Sequence, residues 1–106
     1  MNTTIAKIND KLRSQLIPTA NFKVQLSPVV ANSERLPTVL KEVRSFNDFN
    51  PDNDPYGEHD LGIFKVDGIS YMFKIDYFDD EFKYGEDPYE KPSCNRLLFI
   101  LEASEY

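Results

Sequence analysis

Residues 61–78 read LGIFKVDGISYMFKIDYF, and this stretch decides the fold class. Apolar and polar residues alternate on either side of Asp67-Gly68, which is typical of two β-strands joined by a two-residue turn. In the second run the large apolar residues fall at alternate positions: Ile69, Tyr71, Phe73, Ile75 and Tyr77. The pattern predicts an antiparallel hairpin of Leu61–Val66 and Ile69–Phe78, with one covered face.

Two helices are predicted before this hairpin. The first ends at about Leu16, and its apolar residues recur at spacings of three and four: Ile5, Ile8, Leu12 and Leu16. The second starts at Ser33 or Leu36, because Pro37 is tolerated in the first turn of a helix. Its predicted buried residues are Val39, Leu40, Val43 and Phe46.

Two more strands complete the pattern. Phe22–Leu26 alternates between apolar and polar residues, and a turn at Ser27-Pro28 follows it. Arg96–Ala103 is apolar throughout its middle, which predicts a central strand. The order of elements predicts an α+β fold in a single domain, residues 1–106. In the predicted architecture, two helices pack on one face of a four-stranded antiparallel sheet.

Composition narrows the setting of the protein. One cysteine among 106 residues excludes an internal disulfide and favours a reducing compartment. No apolar run approaches the roughly 20 residues that span a bilayer, and the N-terminal segment lacks the apolar core of a signal peptide. We therefore expect a cytoplasmic protein without a membrane partner.

Charge is unevenly distributed along the chain. The net charge is −6, but residues 1–47 have a net charge of +4 and residues 48–106 a net charge of −10. An acidic half disfavours direct binding of nucleic acid, because phosphate contacts need Lys and Arg. It suits a protein partner with a basic surface, including one that normally holds nucleic acid. A solvated acidic face that keeps the protein soluble is the other interpretation.

Residues 47–62, NDFNPDNDPYGEHDLG, form the second informative stretch. Two prolines, two glycines, five acidic residues and the only histidine fall within these sixteen positions. Pro51 and Pro55 remove backbone donors, and Gly57 and Gly62 favour positive φ, so neither helix nor strand is expected here. We call residues 51–60 the motif loop.

A family resemblance rests on this stretch. Residues 46–62, the following Phe64-x-Val-Asp-Gly and the Phe-Lys-Ile-Asp-Tyr at 73–77 resemble a family of short bacterial proteins, domain of unknown function 3768. The resemblance extends over nearly the whole chain. It implies a compact single domain and a mobile-element context, and it brings no catalytic residues to carry over.

The motif loop suggests two kinds of chemistry. His59 could act as a general base beside a carboxylate, but no nucleophile motif accompanies it. Asp52, Asp54 and Gly57 match the start of a calcium-binding EF-hand loop, which then fails at Tyr56 and Ile63. A looser divalent-cation site stays open. We expect a structural loop instead, whose short acids bond backbone amides, and no catalytic residue, metal or cofactor. Its residues are Asp52, Asp54, Tyr56, Gly57, Glu58, His59 and Asp60.

The acidic connection, residues 79–95, interleaves acids with aromatic residues. Aromatic side chains anchor protein interfaces, and charges around them steer association. The predicted interface residues are Asp79, Asp80, Glu81, Phe82, Tyr84, Glu86 and Asp87. In the alternative interpretation the aromatic rings fold back onto the sheet and the acids are only solvated.

These features favour a non-enzymatic, acidic, protein-binding accessory protein of a mobile element. The sharper hypothesis is an inhibitor of a nucleic-acid-processing defence system, of the anti-CRISPR or anti-restriction type, whose acidic half mimics nucleic acid. The alternative function is a small metal-dependent or His59-based hydrolase centred on the motif loop.

Overall fold

The computed structural model describes residues 3–106, which form an α+β fold. The helices are α1 (Thr3–Gln15), α2 (Pro28–Ala31) and α3 (Leu36–Ser45). The strands are β1 (Phe22–Leu26), β2 (Leu61–Val66), β3 (Ile69–Phe78) and β4 (Asn95–Glu102), and a 3-10 turn follows at Ala103–Glu105.

The β2–β3 hairpin is confirmed. The two strands pair antiparallel, and Val66 lies opposite Ile69 across a two-residue turn. Asp67 and Gly68 have φ values of 52° and 79°. Two consecutive residues with positive φ give the turn geometry that matches the twist of a hairpin. The turn chemistry is local, which is why the sequence alone predicts it.

The sheet has the order β1-β4-β3-β2, and it is mixed. Strands β3 and β4 pair antiparallel, but β1 pairs parallel with β4, so that Phe22 lies opposite Arg96 and Leu26 opposite Ile100. The prediction of a purely antiparallel sheet was wrong. An alternating pattern identifies a strand but does not fix its neighbour or direction, and the long connection between β1 and β4 permits a parallel crossover.

One face of the sheet carries the main core, and we call it the core face. Its fully buried strand residues are Phe22, Tyr71, Phe73, Ile75, Leu98 and Ile100. Val39 and Val43 of α3 belong to the same cluster. Met72 and Leu101 alternate to the opposite face, yet they are also buried. The expectation of one covered and one solvated face therefore holds only in part.

The helix ends show how local sequence sets the boundaries. Leu16, the predicted end of α1, adopts a φ of 54°, and its amide donates to the Leu12 carbonyl at 2.8 Å, which closes the helix. The predicted turn at Ser27-Pro28 is instead the start of the short helix α2, because Ser27 Oγ accepts from the Val30 amide. No helix in the described part of the chain is long and apolar enough for a membrane crossing.

The hairpin turn gives a first test. Gly68→Val should lower the free energy of unfolding by about 1–2 kcal/mol, because a β-branched residue is strained at positive φ. A Cβ at Gly68 would meet no atom within 4 Å, so the loss would come from the backbone alone. Gly68→Asn is the control, since Asn tolerates this conformation. Equal unfolding midpoints in urea for wild type and Gly68→Val would contradict the assignment.

Candidate functional site

His59 lies between two carboxylates that come from distant parts of the chain. Its Nδ1 is 3.0 Å from both carboxylate oxygens of Asp10, on α1. Its Nε2 is 3.5 Å from Oδ2 of Asp54, within the motif loop. His59 has a φ of 56°, a conformation that non-glycine residues adopt rarely and that is enriched at functional sites. The loop is thus held in a specific shape around the imidazole ring.

Short polar side chains build the motif loop. Oδ1 of Asp54 accepts from the amides of Glu58 and His59, at 3.1 and 3.2 Å. Oδ1 of Asn50, just before the loop, accepts from the amides of Asp52 and Asn53. These bonds fold the segment into successive turns.

A group of aromatic rings packs against the imidazole of His59. The imidazole lies parallel to the Phe49 ring, with centroids 4.0 Å apart and an interplanar angle of 3°. Phe46 packs edge-on against both Phe49 and Phe73. Gly62 makes this packing possible, since a Cβ there would lie 2.7 Å from Cε1 of Phe46. The stack therefore connects the motif loop to the core face.

Arg13 fixes helix α1 against this stack. Its Nη1 donates to the Val43 carbonyl at 2.8 Å, and its Nη2 donates to Asp10 at 3.0 Å. The guanidinium carbon lies 5.4 Å from the Phe49 centroid and 5.2 Å from that of Phe73. Burial lowers the pKa of Arg13, although Asp10 partly offsets this effect. Arg13 thereby holds Asp10 in position for His59.

A surface cavity of about 640 Å³ opens beside His59. Lys11 and Arg44, both exposed, line it together with Ser14 and the Phe46 and Phe49 rings. Nδ1 of His59 lies within hydrogen-bonding distance of Asp10, and Nε2 lies 3.5 Å from Asp54, so both ring nitrogens are turned towards carboxylates of the protein. The cavity itself presents the cationic side chains of Lys11 and Arg44 and two aromatic rings.

Glu58 and Asp60 of the motif loop form a pair of neighbouring carboxyl groups. Burial is the main cause that raises the pKa of Asp60 to about 7, and the neighbouring Glu58 carboxyl raises it further. Tyr77 donates to Oδ2 of Asp60 at 3.1 Å. Tyr89, in the acidic connection, donates to the Glu58 carboxylate, and this bond raises the pKa of Tyr89 to about 12. The pair thus joins the motif loop to the acidic connection.

A buried polar chain continues from this pair into the core. The Asn9 amide donates to the Tyr77 hydroxyl and to the Glu58 carbonyl, both at 2.9 Å. Nε of Arg96 donates to Oδ1 of Asn9 at 2.6 Å, and the guanidinium lies over the Tyr77 ring at 5.1 Å. Burial raises the pKa of the Tyr77 hydroxyl, and the negative charge of Asp60 acts in the same direction.

The seven predicted motif residues take three kinds of position. Gly57 is buried and has a φ of 65°, as a turn requires. Asp54, Glu58, His59 and Asp60 are brought together with partners from α1 and β3. Asp52 and Tyr56 are exposed, and Tyr56 has 71% of its surface accessible. Within the described residues, no group of three His, Cys, Asp or Glu side chains is arranged to hold a metal ion.

Sequence reasoning missed the contribution of α1. Of the predicted stripe, Ile5 is fully buried and Leu12 and Leu16 pack half-buried against the core, but the polar residues Asn9 and Arg13 are buried more deeply than these leucines. Ile5, Asn9 and Arg13 are spaced by four, as expected for one face of a helix. Asn9 and Arg13 follow the apolar Ile5 at helical spacing, and this pattern could have indicated that a polar network lies on the buried face of α1.

Two of the predicted interface residues, Asp79 and Phe82, make structural contacts within and next to the acidic connection. Oδ1 of Asp79 accepts from the Glu81 and Lys83 amides, and the Lys83 bond is the main cause that lowers the pKa of Asp79. Phe82 packs against Phe78, and Nζ of Lys23 lies 4.1 Å from its ring centroid. These residues shape the turn.

The remaining predicted interface residues face outward or anchor the chain. Asp80, Glu81 and Tyr84 are exposed. Asp80 pairs with Lys91 at 2.8 Å. Asp87 is exposed, and its side chain accepts from the Tyr89 amide. Glu86 is half-buried, and its amide donates to the Tyr77 carbonyl.

Comparison with known proteins identifies a family. A family model described as "Protein of unknown function (DUF3768)" matches residues 26–105. No curated protein matches the chain, and no solved structure matches it either.

The contacts of His59 give a second test. His59→Ala should lower the free energy of unfolding by about 1–3 kcal/mol, because it removes the Phe49 stack and both carboxylate contacts. His59→Asn is the matched control for backbone strain, since Asn tolerates positive φ. A chelator should leave the melting temperature of wild type unchanged. A drop that a specific divalent cation reverses would instead establish a metal site.

The Asp60 carboxyl gives a pH-dependent test. Its ordinary pKa is 3.8, and in the folded protein it is about 7. Between these values the folded state keeps the proton and the unfolded state loses it, so the free energy of unfolding should fall as pH rises. We expect Asp60→Asn to flatten this fall by about 1–2 kcal/mol, because solvent screens a partly exposed carboxyl.

Thermal unfolding of wild type and Asp60→Asn across this pH range provides the measurement. Asp48→Asn is the control, because it removes an exposed acid and should leave the slope of wild type intact. An equally steep fall in Asp60→Asn would show that other groups cause it.

Proposed function

The chain belongs to the DUF3768 family, and we propose that it is a non-enzymatic, cytoplasmic accessory protein that binds a protein partner through the acidic connection. The observation that supports this most directly is the exposure of Asp80, Glu81 and Tyr84 on one turn. Side chains of Asp80 and Glu81 are 79% and 74% exposed, and Tyr84 is 72% exposed. Asp80 pairs with Lys91, and Glu81 pairs with Lys83. An exposed aromatic ring on the same turn as exposed charges suits a hot spot with steering charges.

The turn is presented rigidly, which favours recognition. Asp79 holds two backbone amides within it, and the Phe78–Phe82 contact fixes it to the end of β3. A preorganised surface loses little conformational freedom when a partner binds. Asp79 and Phe82 thus serve the proposed interface indirectly, by shaping it.

We also infer that α1 and α3 lie together on the core face of the sheet. Val43 of α3 belongs to the core cluster, and Arg13 of α1 donates to its carbonyl. Asn9 bonds Tyr77 and Arg96, which alternate onto the core face.

In the sharper form of the proposal, the protein comes from a mobile element and inhibits a nucleic-acid-processing defence system. The net charge of −10 over residues 48–106 supports it, because such a surface can compete with nucleic acid for a basic channel. The test is competition: an oligonucleotide should displace the protein from its partner. A ternary complex with bound oligonucleotide would rule out this form and leave protein binding intact.

The second candidate is a hydrolase centred on the motif loop. The cavity beside His59 and the positive φ of His59 favour it. The contacts of both His59 nitrogens with carboxylates favour the binding protein instead. Hydrolysis of model phosphate or carboxylate esters that His59→Ala abolishes would support the hydrolase.

Charge neutralisation tests the proposed interface. The tagged protein is first used to isolate its partner from host lysate, with identification by mass spectrometry. Asp80→Asn together with Glu81→Gln should then slow association and flatten its salt dependence, because exposed rim charges act mainly on the association rate. The fold should persist, since solvated charges contribute little to stability.

Glu34→Gln with Asp48→Asn is the matched control, because it removes two exposed charges outside the acidic connection. Equal association rates and equal salt slopes for the two double variants would show that the charges of this turn affect binding no more than exposed charges elsewhere on the protein.

A further inference from the structure

A second cavity, of about 360 Å³, is lined by residues of α1, β1 and the end of the acidic connection, and its lining includes none of the predicted interface residues. Its walls include the apolar side chains of Ile8, Leu12 and Phe22, and its polar lining includes Lys11, Asn21 and Arg96. A small volume with apolar walls and a few polar groups is the usual form of a small-molecule site.

Arg96 is the unusual group in this cavity. It is 1% exposed, and burial lowers the pKa of its guanidinium. None of the ion pairs in the described residues includes Arg96. Buried cations are normally paired, because an unpaired one loses its hydration without compensation.

The hydrogen bonds of Arg96 are incomplete on one side. Nε donates to Asn9, and Nη1 donates to the Cys94 carbonyl at 2.8 Å. Nη2 is buried and has no hydrogen-bond partner. Each guanidinium has five N–H donors, and a buried donor without an acceptor is costly. A negatively charged acceptor would give Arg96 both the ion-pair partner that it lacks and a hydrogen-bond partner for Nη2.

We propose that this cavity binds a small organic carboxylate, whose carboxyl group accepts from Nη2 of Arg96 and whose short apolar group lies against Ile8, Leu12 and Phe22. Lys11, exposed at the edge of the cavity, supplies a second positive charge. A carboxylate fits better than inorganic phosphate, because phosphate has no apolar part for these walls and its charge is costlier to desolvate.

The test is a titration of isotope-labelled protein with sodium isovalerate, followed by amide chemical shifts at constant ionic strength. Isovaleramide is the neutral isostere, and sodium phosphate is the anion without an apolar group. We expect saturable shifts at Asn21, Cys94 and Arg96 with isovalerate in the millimolar range. Isovaleramide should bind about tenfold more weakly or worse, because it lacks the charge-assisted hydrogen bond. Phosphate should leave these signals unchanged.

Variants locate the site. Lys11→Gln should weaken isovalerate binding several-fold, whereas Lys7→Gln, on the same helix but outside the cavity, should not. Arg96→Gln should abolish binding. If that variant fails to fold, Ser93→Trp serves instead, because Ser93 is exposed and lines the cavity, so the added ring should block it.

The proposal is overturned by the absence of saturable shifts, by equal binding of acid and amide, or by equal shifts with phosphate, which would show a general anion site without the apolar component. Among the variants, it is overturned by equal effects of Lys11→Gln and Lys7→Gln, or by unchanged binding in folded Arg96→Gln or in Ser93→Trp.

Discussion

The Arg96 guanidinium donates to the Asn9 side chain, and the Asn9 amide donates onward to Tyr77 and to the Glu58 carbonyl. Through these bonds β4, α1, β3 and the motif loop share one buried polar chain. Such chains are strong where every member is paired and costly where one is not. Since Asn9 is fully buried and serves both neighbours, loss of its side chain would leave Arg96 and Tyr77 without their link.

This chain also sets the positions of the two candidate surfaces. Arg13 of α1 holds Asp10 against His59, and Arg96, which bonds Asn9 of the same helix, lines the smaller cavity. Tyr89 bonds Glu58, so the acidic connection is tied to the motif loop. The positions of these sites therefore depend on one another, because each is set by how α1 packs against the sheet.

Whether a feature could be predicted from the sequence depends on how far apart along the chain its interacting residues lie. The hairpin at Asp67-Gly68 depends on two residues and their neighbours, and it was predicted correctly. The direction of β1 depends on a partner more than 70 residues away, and it was predicted wrongly. His59 was recognised as a candidate from composition, but its partner Asp10 lies 49 residues earlier, and no local pattern joins them. The family match over residues 26–105 supports the resemblance, whereas the buried polar residues of α1 lie outside that range.

The parallel pairing of β1 with β4 has a consequence for synthesis of the chain. During translation β1 emerges early, but its only strand partner, within the described residues, begins at Asn95. Until β4 leaves the ribosome, β3 also lacks one neighbour, and apolar residues such as Phe22 and Phe73 have no complete core. The sheet is therefore completed only once β4 has been synthesised, and we expect β1 and the β2–β3 hairpin to lack a stable common core until then.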